Sequence, residues 1–210
     1  MFNTWEQIIA ACQKKSIPST WKVGDQKSMT IDGLGYVIDI IGINHDTYTA
    51  GGTAPLTFQL HDCYSKLNKI NSSETNRGGW KNSSMRTKHL PAILALMPTE
   101  VQNSIREVSK KASVGGGSST IETVSDKLFL LSEVEIFGST TTSAEGEGTQ
   151  YDYYKAGNSK AKQRNGSAAS WWERSPYVSN QSDFCMVNAA GRSMVSTANS
   201  SRDVAFAFCF

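Results

Sequence analysis

Two adjacent tryptophans, Trp171-Trp172, constrain the fold of this 210-residue chain more than any other feature. Neighbouring side chains on a β-strand point to opposite faces. The pair therefore places one indole in a core, while the other covers a second cluster or stays partly exposed. Glu173, Arg174, Ser175 and Pro176 follow directly, and the guanidinium of Arg174 has a fork of donors able to order neighbouring loops. Two readings of the pair stand: a core anchor with a loop clamp, or direct ligand contact by one of the indoles.

A second apolar anchor lies thirty residues on, at Val204-Ala205-Phe206-Ala207-Phe208-Cys209-Phe210. Between the anchors, Tyr177 to Arg202 is dominated by Ser, Asn, Ala and Gly. Ordinary loops have this composition for local reasons. So do binding surfaces that mix small adaptable polar residues with a few large anchors. Fixed ends around a permissive middle favour the second reading. The residues expected to contact a ligand are Glu173, Tyr177, Asn180, Gln181, Asp183, Met186, Asn188, Arg192, Met194, Asn199 and Arg202, on a scaffold of Trp80, Trp171, Trp172 and Arg174.

The rest of the chain reads as one helix and then mostly short strands. Thr4 and Gln7 form a capping box ahead of Trp5, Ile8, Ile9 and Cys12, which share a helical face. Lys27 to Ile31 runs into Asp32-Gly33, a hairpin signal, and Tyr36 to Ile43 is long enough for a central strand. Loops follow at 44–55 and at 71–79, the second delivering Trp80. Short helical segments are expected from Ser84, from Pro91 to Met97 and from Pro98 to Ile105. Gly115 to Ser119 reads as a hairpin tip. Lys127 to Leu131, Trp171 to Arg174, Phe184 to Val187 and Val204 to Phe210 read as strands, and Ser132 to Phe137 as a helical turn or irregular chain.

Composition narrows the class. Charged residues make up only 19% of the chain and the net charge is +2, with Lys and Arg scattered, so nucleic acid is not an expected partner. The start Met1-Phe2-Asn3-Thr4-Trp5-Glu6 has neither a basic nor an apolar signal region, and no window is apolar enough to span a bilayer. The expectation is a soluble protein made in the cytoplasm without a signal peptide. Cys12, Cys63, Cys185 and Cys209 have no zinc-ligand spacing and read as small buried hydrophobes, with a Cys185–Cys209 bridge as an alternative. The dipeptides His45-Asp46 and His61-Asp62 invite a metal or acid–base reading, against which loop hydrogen bonding is the better explanation. Glu133, Glu135, Glu145 and Glu147 are expected on a solvated face. No nucleophile elbow, phosphate loop or dinucleotide fingerprint is present. No catalytic residue, metal or cofactor is expected.

An ordered set of motifs covers nearly the whole chain: Trp5-x-x-Ile8, Trp21-x-Val23-Gly24-Asp25, Ile41-Gly42-x-Asn44-His45-Asp46, Gly78-Gly79-Trp80, Met85-Arg86, Asp126-Lys127-Leu128-Phe129-Leu130 and Trp171-Trp172-x-Arg174-Ser175-Pro176. The set resembles a domain-of-unknown-function family found in gut Firmicutes and in the tail and virion proteins of their phages. That family is similar to C-type-lectin-like domains, including those of phage receptor-binding proteins diversified by retroelements. The resemblance implies an α+β, C-type-lectin-like fold of short twisted antiparallel sheets with an N-terminal helix and a few short helices. It implies one binding domain over 1–210, with a variable-type surface at about 171–210. Glu173, Gln181, Met186 and Met194 depart from the residues that adenine substitution in Asn codons yields, and no Glu-Pro-Asn motif points to calcium.

The expected function is that of a phage or prophage virion protein that binds a bacterial surface glycan or protein. Its partners would be other virion proteins and further copies of itself, a trimer among the options. The alternatives are a capsid or tail decoration protein with no external ligand, and an enzyme such as a cell-wall hydrolase or a relative of the formylglycine-generating oxidases, for which Cys185 and Cys209 are the candidate reactive thiols.

Overall fold

The structure, a computed structural model, describes residues 3–210. Met1 and Phe2, where the reading of the N-terminal signal region begins, lie outside the described residues. The first helix, α1 (Trp5–Gln13), forms as its sequence dictates. The Thr4 hydroxyl accepts the Gln7 N–H, the Gln7 side chain accepts the Thr4 N–H, and Trp5, Ile8, Ile9 and Cys12 are buried on one face. Strands β1 (Gln26–Ile31) and β2 (Leu34–Ile43) are joined at Asp32-Gly33, both in the left-handed region, and β3 (Leu56–Leu60) pairs with β2.

A π-helical turn, Met85–His89, leads into α2 (Leu90–Leu94), and α3 (Thr99–Ser104) follows. Strands β4 (Val108–Ser113) and β5 (Ile121–Asp126) form a hairpin around Gly115–Ser119. Next come β6 (Leu128–Phe129), α4 (Glu133–Phe137), α5 (Asp152–Lys155) and the small hairpin of β7 (Lys162–Arg164) and β8 (Ser167–Ala169). The chain ends in β9 (Trp171–Pro176), β10 (Asp183–Val187), β11 (Ser193–Thr197) and β12 (Ala207–Cys209). The fold is mixed α and β, with few short helices and several short antiparallel sheets. Among the described residues, no helix is long and apolar enough to cross a membrane.

The main sheet has the order β1-β2-β3-β12-β6, so the last strand lies between two earlier ones. The alternation in Ala205-Phe206-Ala207-Phe208-Cys209-Phe210 explains how this strand is buried on both faces. Phe206, Phe208 and Phe210 enter a cluster with Trp5, Ile38, Ile40 and Phe58, whereas Ala205, Ala207 and Cys209 enter another with Ile41, Phe129, Tyr151 and Tyr154. Large side chains fill the wide side beneath α1. Small ones make room for the tyrosines of α5 on the other side.

Trp171 and Trp172 tie the second sheet, β11-β10-β9, to both clusters. Trp172 belongs with Trp5 and Phe58, Trp171 belongs with Tyr151 and Phe129, and each is 0% exposed. Both are core anchors, and neither is exposed to a ligand. Each indole N–H has a carbonyl partner: Trp171 donates to Lys160 at 3.0 Å and Trp172 to Asn68 at 2.9 Å.

Strands β7, β8 and β11 were not expected from the sequence, and β4 and β5 only through the hairpin tip between them, because their buried positions include Lys110, Ser113, Asp126, Lys162 and Ser196 rather than a run of apolar residues. The four cysteines are unpaired and buried, with Cys185 on β10 and Cys209 on β12, strands of different sheets.

Candidate functional site

The loop-clamp role of Arg174 is fully realised, around a set of charges that the sequence reading placed in water. Glu133, Glu135 and Glu147 are buried, and only Glu145 of that group is exposed. Arg174 uses all five of its donors. Nε donates to the Lys111 carbonyl, Nη1 to Leu130 O and Glu135 Oε2, and Nη2 to Glu135 Oε1 and Glu147 O. Lys110 is equally saturated, by Asp46 Oδ1 at 2.8 Å, Glu135 Oε1 at 2.7 Å and the Tyr151 hydroxyl at 3.1 Å. Two cations thus meet two carboxylates, Asp46 and Glu135, with no formal charge left over.

Burial opposes the ionised state of each of these groups, and the partners outweigh it. The Asp46 carboxyl is held at about 2 because Lys110 and Thr57 overcome its burial. Glu135 is held low by Arg174 and Lys110, and the ammonium of Lys110 is held high by Asp46 and Glu135. Glu133, beneath the loop at 141–143, is lowered to about 2 because donors from Thr141, Ser193, Ser143 and Thr142 outweigh its burial. For Glu147 burial wins, and its carboxyl rises to about 7 although Ser175 and the Ser113 N–H donate to it.

The network lies beneath a cleft of about 270 Å³ lined by His45, Lys111 and Gly148. Its hydrogen-bonding capacity is spent internally. What the arrangement does is fasten β9 to β4, to Leu130 and Leu131 just after β6, and to α4.

The His-Asp pairs are also accounted for. Asp46 lies in the 44–55 loop with its side chain turned into the buried network, and the His45 ring stacks on Tyr151 at 4.0 Å. His61 Nδ1 lies 2.8 Å from Asp39, which raises the imidazole pKa, and Asp62 accepts from the Gln163 N–H. Among the described residues, no group of three or more His, Cys, Asp or Glu side chains could hold a metal ion.

The β9–β10–β11 sheet separates the predicted contact residues into places of different character. Glu173 and Met186 leave the candidate surface, because Glu173 is 0% exposed and Met186 packs with Trp172 in the core. The hairpin of β10 and β11 pairs Asp183 with Thr197 at one end and Val187 with Ser193 at the other, about 14 Å away at the usual rise per residue. Tyr177, Asn180, Gln181 and Asp183 gather at the first end, joined by the turn at Asn199 through the Ala198 N–H to the Ser182 carbonyl. Asn188 and Arg192 sit at the second end with Met194, which is 48% exposed. Arg202 lies apart, its backbone paired with Asn68 in both directions.

Some of these polar side chains build turns. The Asn180 Oδ1 accepts the N–H groups of Ser182 and Asp183, and its Nδ2 donates to Asp183 Oδ2 at 2.8 Å. The Asn188 Oδ1 accepts from Ala190 and Arg192 in the same way. For these residues the loop explanation of the composition is the right one.

Asn76 is the residue that sequence reasoning missed. It is fully buried, and its Nδ2 donates to the carbonyls of Tyr177, Asn180 and Asp183 at 3.1, 3.1 and 2.8 Å. Its Oδ1 accepts the Gly116 N–H. One amide side chain therefore pins the 177–183 turn to the tip of the β4–β5 hairpin. Close backbone approach makes this geometry possible: a Cβ on Gly115 would lie 1.8 Å from Asn76 O, and one on Gly79 2.1 Å from Ser113 O. Both glycines also have φ in the left-handed region. The signal was present as Asn76-Arg77-Gly78-Gly79 ahead of Trp80, whose indole N–H donates to the buried Asp126 at 2.7 Å. Arg77, exposed beside Asn76, donates to the Gln181 side chain and extends the same patch.

Neither the curated proteins nor the solved structures compared with this chain include a match. A family model matches residues 56–209, from the start of β3 to the end of β12, and so takes in Asn76, the Arg174 clamp and the whole β9–β10–β11 sheet. By that match the chain belongs to the family described as a domain of unknown function, DUF6273.

Proposed function

We propose that the protein is a ligand-binding domain, built on a C-type-lectin-like scaffold, that a phage or prophage virion uses to contact a bacterial surface glycan or protein. The contact surface in this reading is the 177–183 turn with Arg77, centred on Tyr177, Gln181 and the outer edge of Asn180. The observation that carries it is the contrast in that turn. Its side chains meet solvent while its backbone carbonyls are held from below by the buried Asn76. A preorganised backbone lowers the ordering cost of binding and leaves side chains free to be exchanged.

Two further observations support a binding rather than a catalytic role. The buried charges beneath the small cleft are satisfied by one another, and burial pushes the thiols of Cys185 and Cys209 well above the ordinary range, away from the nucleophilic thiolate. Several copies on one particle would multiply a weak single-site affinity.

The test is adhesion of purified protein to permissive cells. Y177A/Q181A is expected to lose binding while R192A/M194A, at the other end of the hairpin, keeps it. Equal adhesion by both variants, or loss only in the second, rejects this surface. A second reading, a particle decoration protein with no external ligand, is favoured by the edge position of β11, where the exposed Met194 offers a place for strand pairing with a neighbour. Burial of β11 between subunits in an assembled particle would support it.

A further inference from the structure

A separate cleft of about 430 Å³ opens where Leu67–Ser72, the π-helical turn and Ser201 converge. The charged and hydroxyl groups that line it are Lys69, Lys88, His89, Ser72, Ser84 and Ser201, and no carboxylate is among them. Lys69 and Lys88 take part in no ion pair among the described residues, whereas Lys66 nearby is paired with Asp32 and Lys81 with Glu122. The wall is firmly built. The Asn68 N–H donates to Arg202 O and the Arg202 N–H returns to Asn68 O, at 2.9 and 3.0 Å. The Asn71 N–H donates to Ala198 O, and the Met85 N–H to Ile70 O. The Asn71 Oδ1 accepts the Ser84 N–H at 3.0 Å. The strap 68–71 is thus clipped to the C-terminal segment on one side and to the helical segment on the other, which fixes the origins of both lysines.

Two uncompensated ammonium groups call for an anion. Burial, reinforced by Lys88, lowers the His89 imidazole below its ordinary value, so that at neutral pH the ring serves as a hydrogen-bonding group rather than a third charge. No guanidinium lines the cleft, so the planar two-pronged pairing that suits a carboxylate is missing. Point charges and hydroxyl donors arranged around a space suit a tetrahedral group with several oxygens. The volume lies in the range of small-molecule sites, roughly 300–1,000 Å³, and leaves room for the polyol or sugar bearing that group. Leu67, 44% exposed, offers that carrier an apolar wall.

We propose that this cleft is a binding site for a phosphoryl group carried on a small polyol or sugar. It is distinct from the 177–183 surface and does not depend on it. Calorimetric titrations with glycerol 3-phosphate, inorganic phosphate, glucuronate and glycerol test the proposal on the full chain, with K69E/K88E and K69Q/K88Q, changed at two exposed positions and checked for an unaltered melt, as variants. Glycerol 3-phosphate is expected to bind, to weaken with added salt, and to lose roughly tenfold or more in affinity in both variants, as removal of charge-assisted contacts does. Glucuronate is expected to bind at least about tenfold more weakly, and glycerol not at all. Inorganic phosphate binding as tightly as the ester would support the phosphoryl site but identify the free ion as its ligand. No phosphate binding, equal binding of glucuronate, or binding unchanged in both lysine variants would overturn the proposal. Retention of phosphate binding by Y177A/Q181A keeps its outcome separate from that of the adhesion test.

Discussion

Replacing Glu173 with leucine removes a carboxyl group that the fold buries without hydrogen bonds. Glu173 lies on β9 and is 0% exposed, and neither of its oxygens has a partner among the described residues. Arg174 is next in sequence, but its five donors are committed to Glu135 and to backbone carbonyls. Burial, and then the carboxylates of Glu133 and Glu147, hold the Glu173 pKa well above the ordinary carboxylate value, which favours the protonated, neutral form in the folded protein. Leaving such a group buried and unsatisfied costs about 1–3 kcal/mol. Leucine has a similar size without the polar atoms and recovers most of that cost, less a packing mismatch below about 1.5 kcal/mol. The net gain is about 0–3 kcal/mol, and at roughly 2–4 °C per kcal/mol for a domain of this length the melting temperature of E173L should rise by up to about 12 °C at pH 7.

The sign of the pH dependence follows from linkage. Between the unfolded pKa, 4.5, and the higher folded one, the unfolded chain is ionised at this position while the folded protein is protonated, so unfolding releases a proton. The wild-type protein therefore loses up to about 1.4 kcal/mol per pH unit from this residue as pH rises through that window. E173L lacks that loss, and its advantage should widen from pH 5 to pH 8. E173Q keeps an unsatisfied polar group but cannot ionise, so it should share the flatter pH profile without the full gain at low pH. Urea denaturation followed by circular dichroism at pH 5, 6.5 and 8 measures all three proteins. A gap between E173L and wild type that stays constant with pH, or a less stable E173L throughout, would refute the account of Glu173 as a buried neutral acid.

Three further outcomes are expected. G115A places a methyl group 1.8 Å from Asn76 O at φ +71° and should cost about 2 kcal/mol or more by chemical denaturation, with exchange at the 177–183 amides accelerated. N76A removes the side-chain donor shared by three carbonyls, of which Asp183 O keeps the Tyr177 N–H, and should cost about 1–3 kcal/mol. Hydrogen exchange of the Tyr177 amide, which donates to Asp183 O at 3.0 Å, should then speed up more than that of the β2 amides. R174K keeps the charge but offers three donors where five are used, and should lower stability by about 2–4 kcal/mol in a melt at neutral pH.

What could be read from the sequence were features whose partners lie nearby or whose chemistry has few outlets. The Thr4–Gln7 box, the Asp32-Gly33 turn and the opposed faces of Trp171 and Trp172 are of this kind. Arg174 as a clamp was legible because a guanidinium beside two buried indoles needs acceptors. Glu133, Glu135 and Glu147 were misplaced because what keeps them inside comes from afar: Arg174 lies 39 residues beyond Glu135, and Ser193 lies 60 beyond Glu133. One local signal went unused. Ser132 and Glu135 repeat the pattern of Thr4 and Gln7 and form the capping box of α4, which fixes where Glu135 points. For Asn180 and Asn188 composition misled, since an asparagine that builds a turn and one that meets a ligand look alike in sequence.

The central position of β12 bears on how the protein is made. Its partners β3 and β6 pair with Ala207–Cys209, so the main sheet closes only after that tripeptide has left the ribosome. Until then β3 and β6 expose unpaired strand edges to other nascent chains. Loop closure of some 150 residues between Phe58 and Phe208 also makes the last step a slow, non-local one. A chain cut before residue 207 should accumulate in aggregates rather than as a smaller folded core.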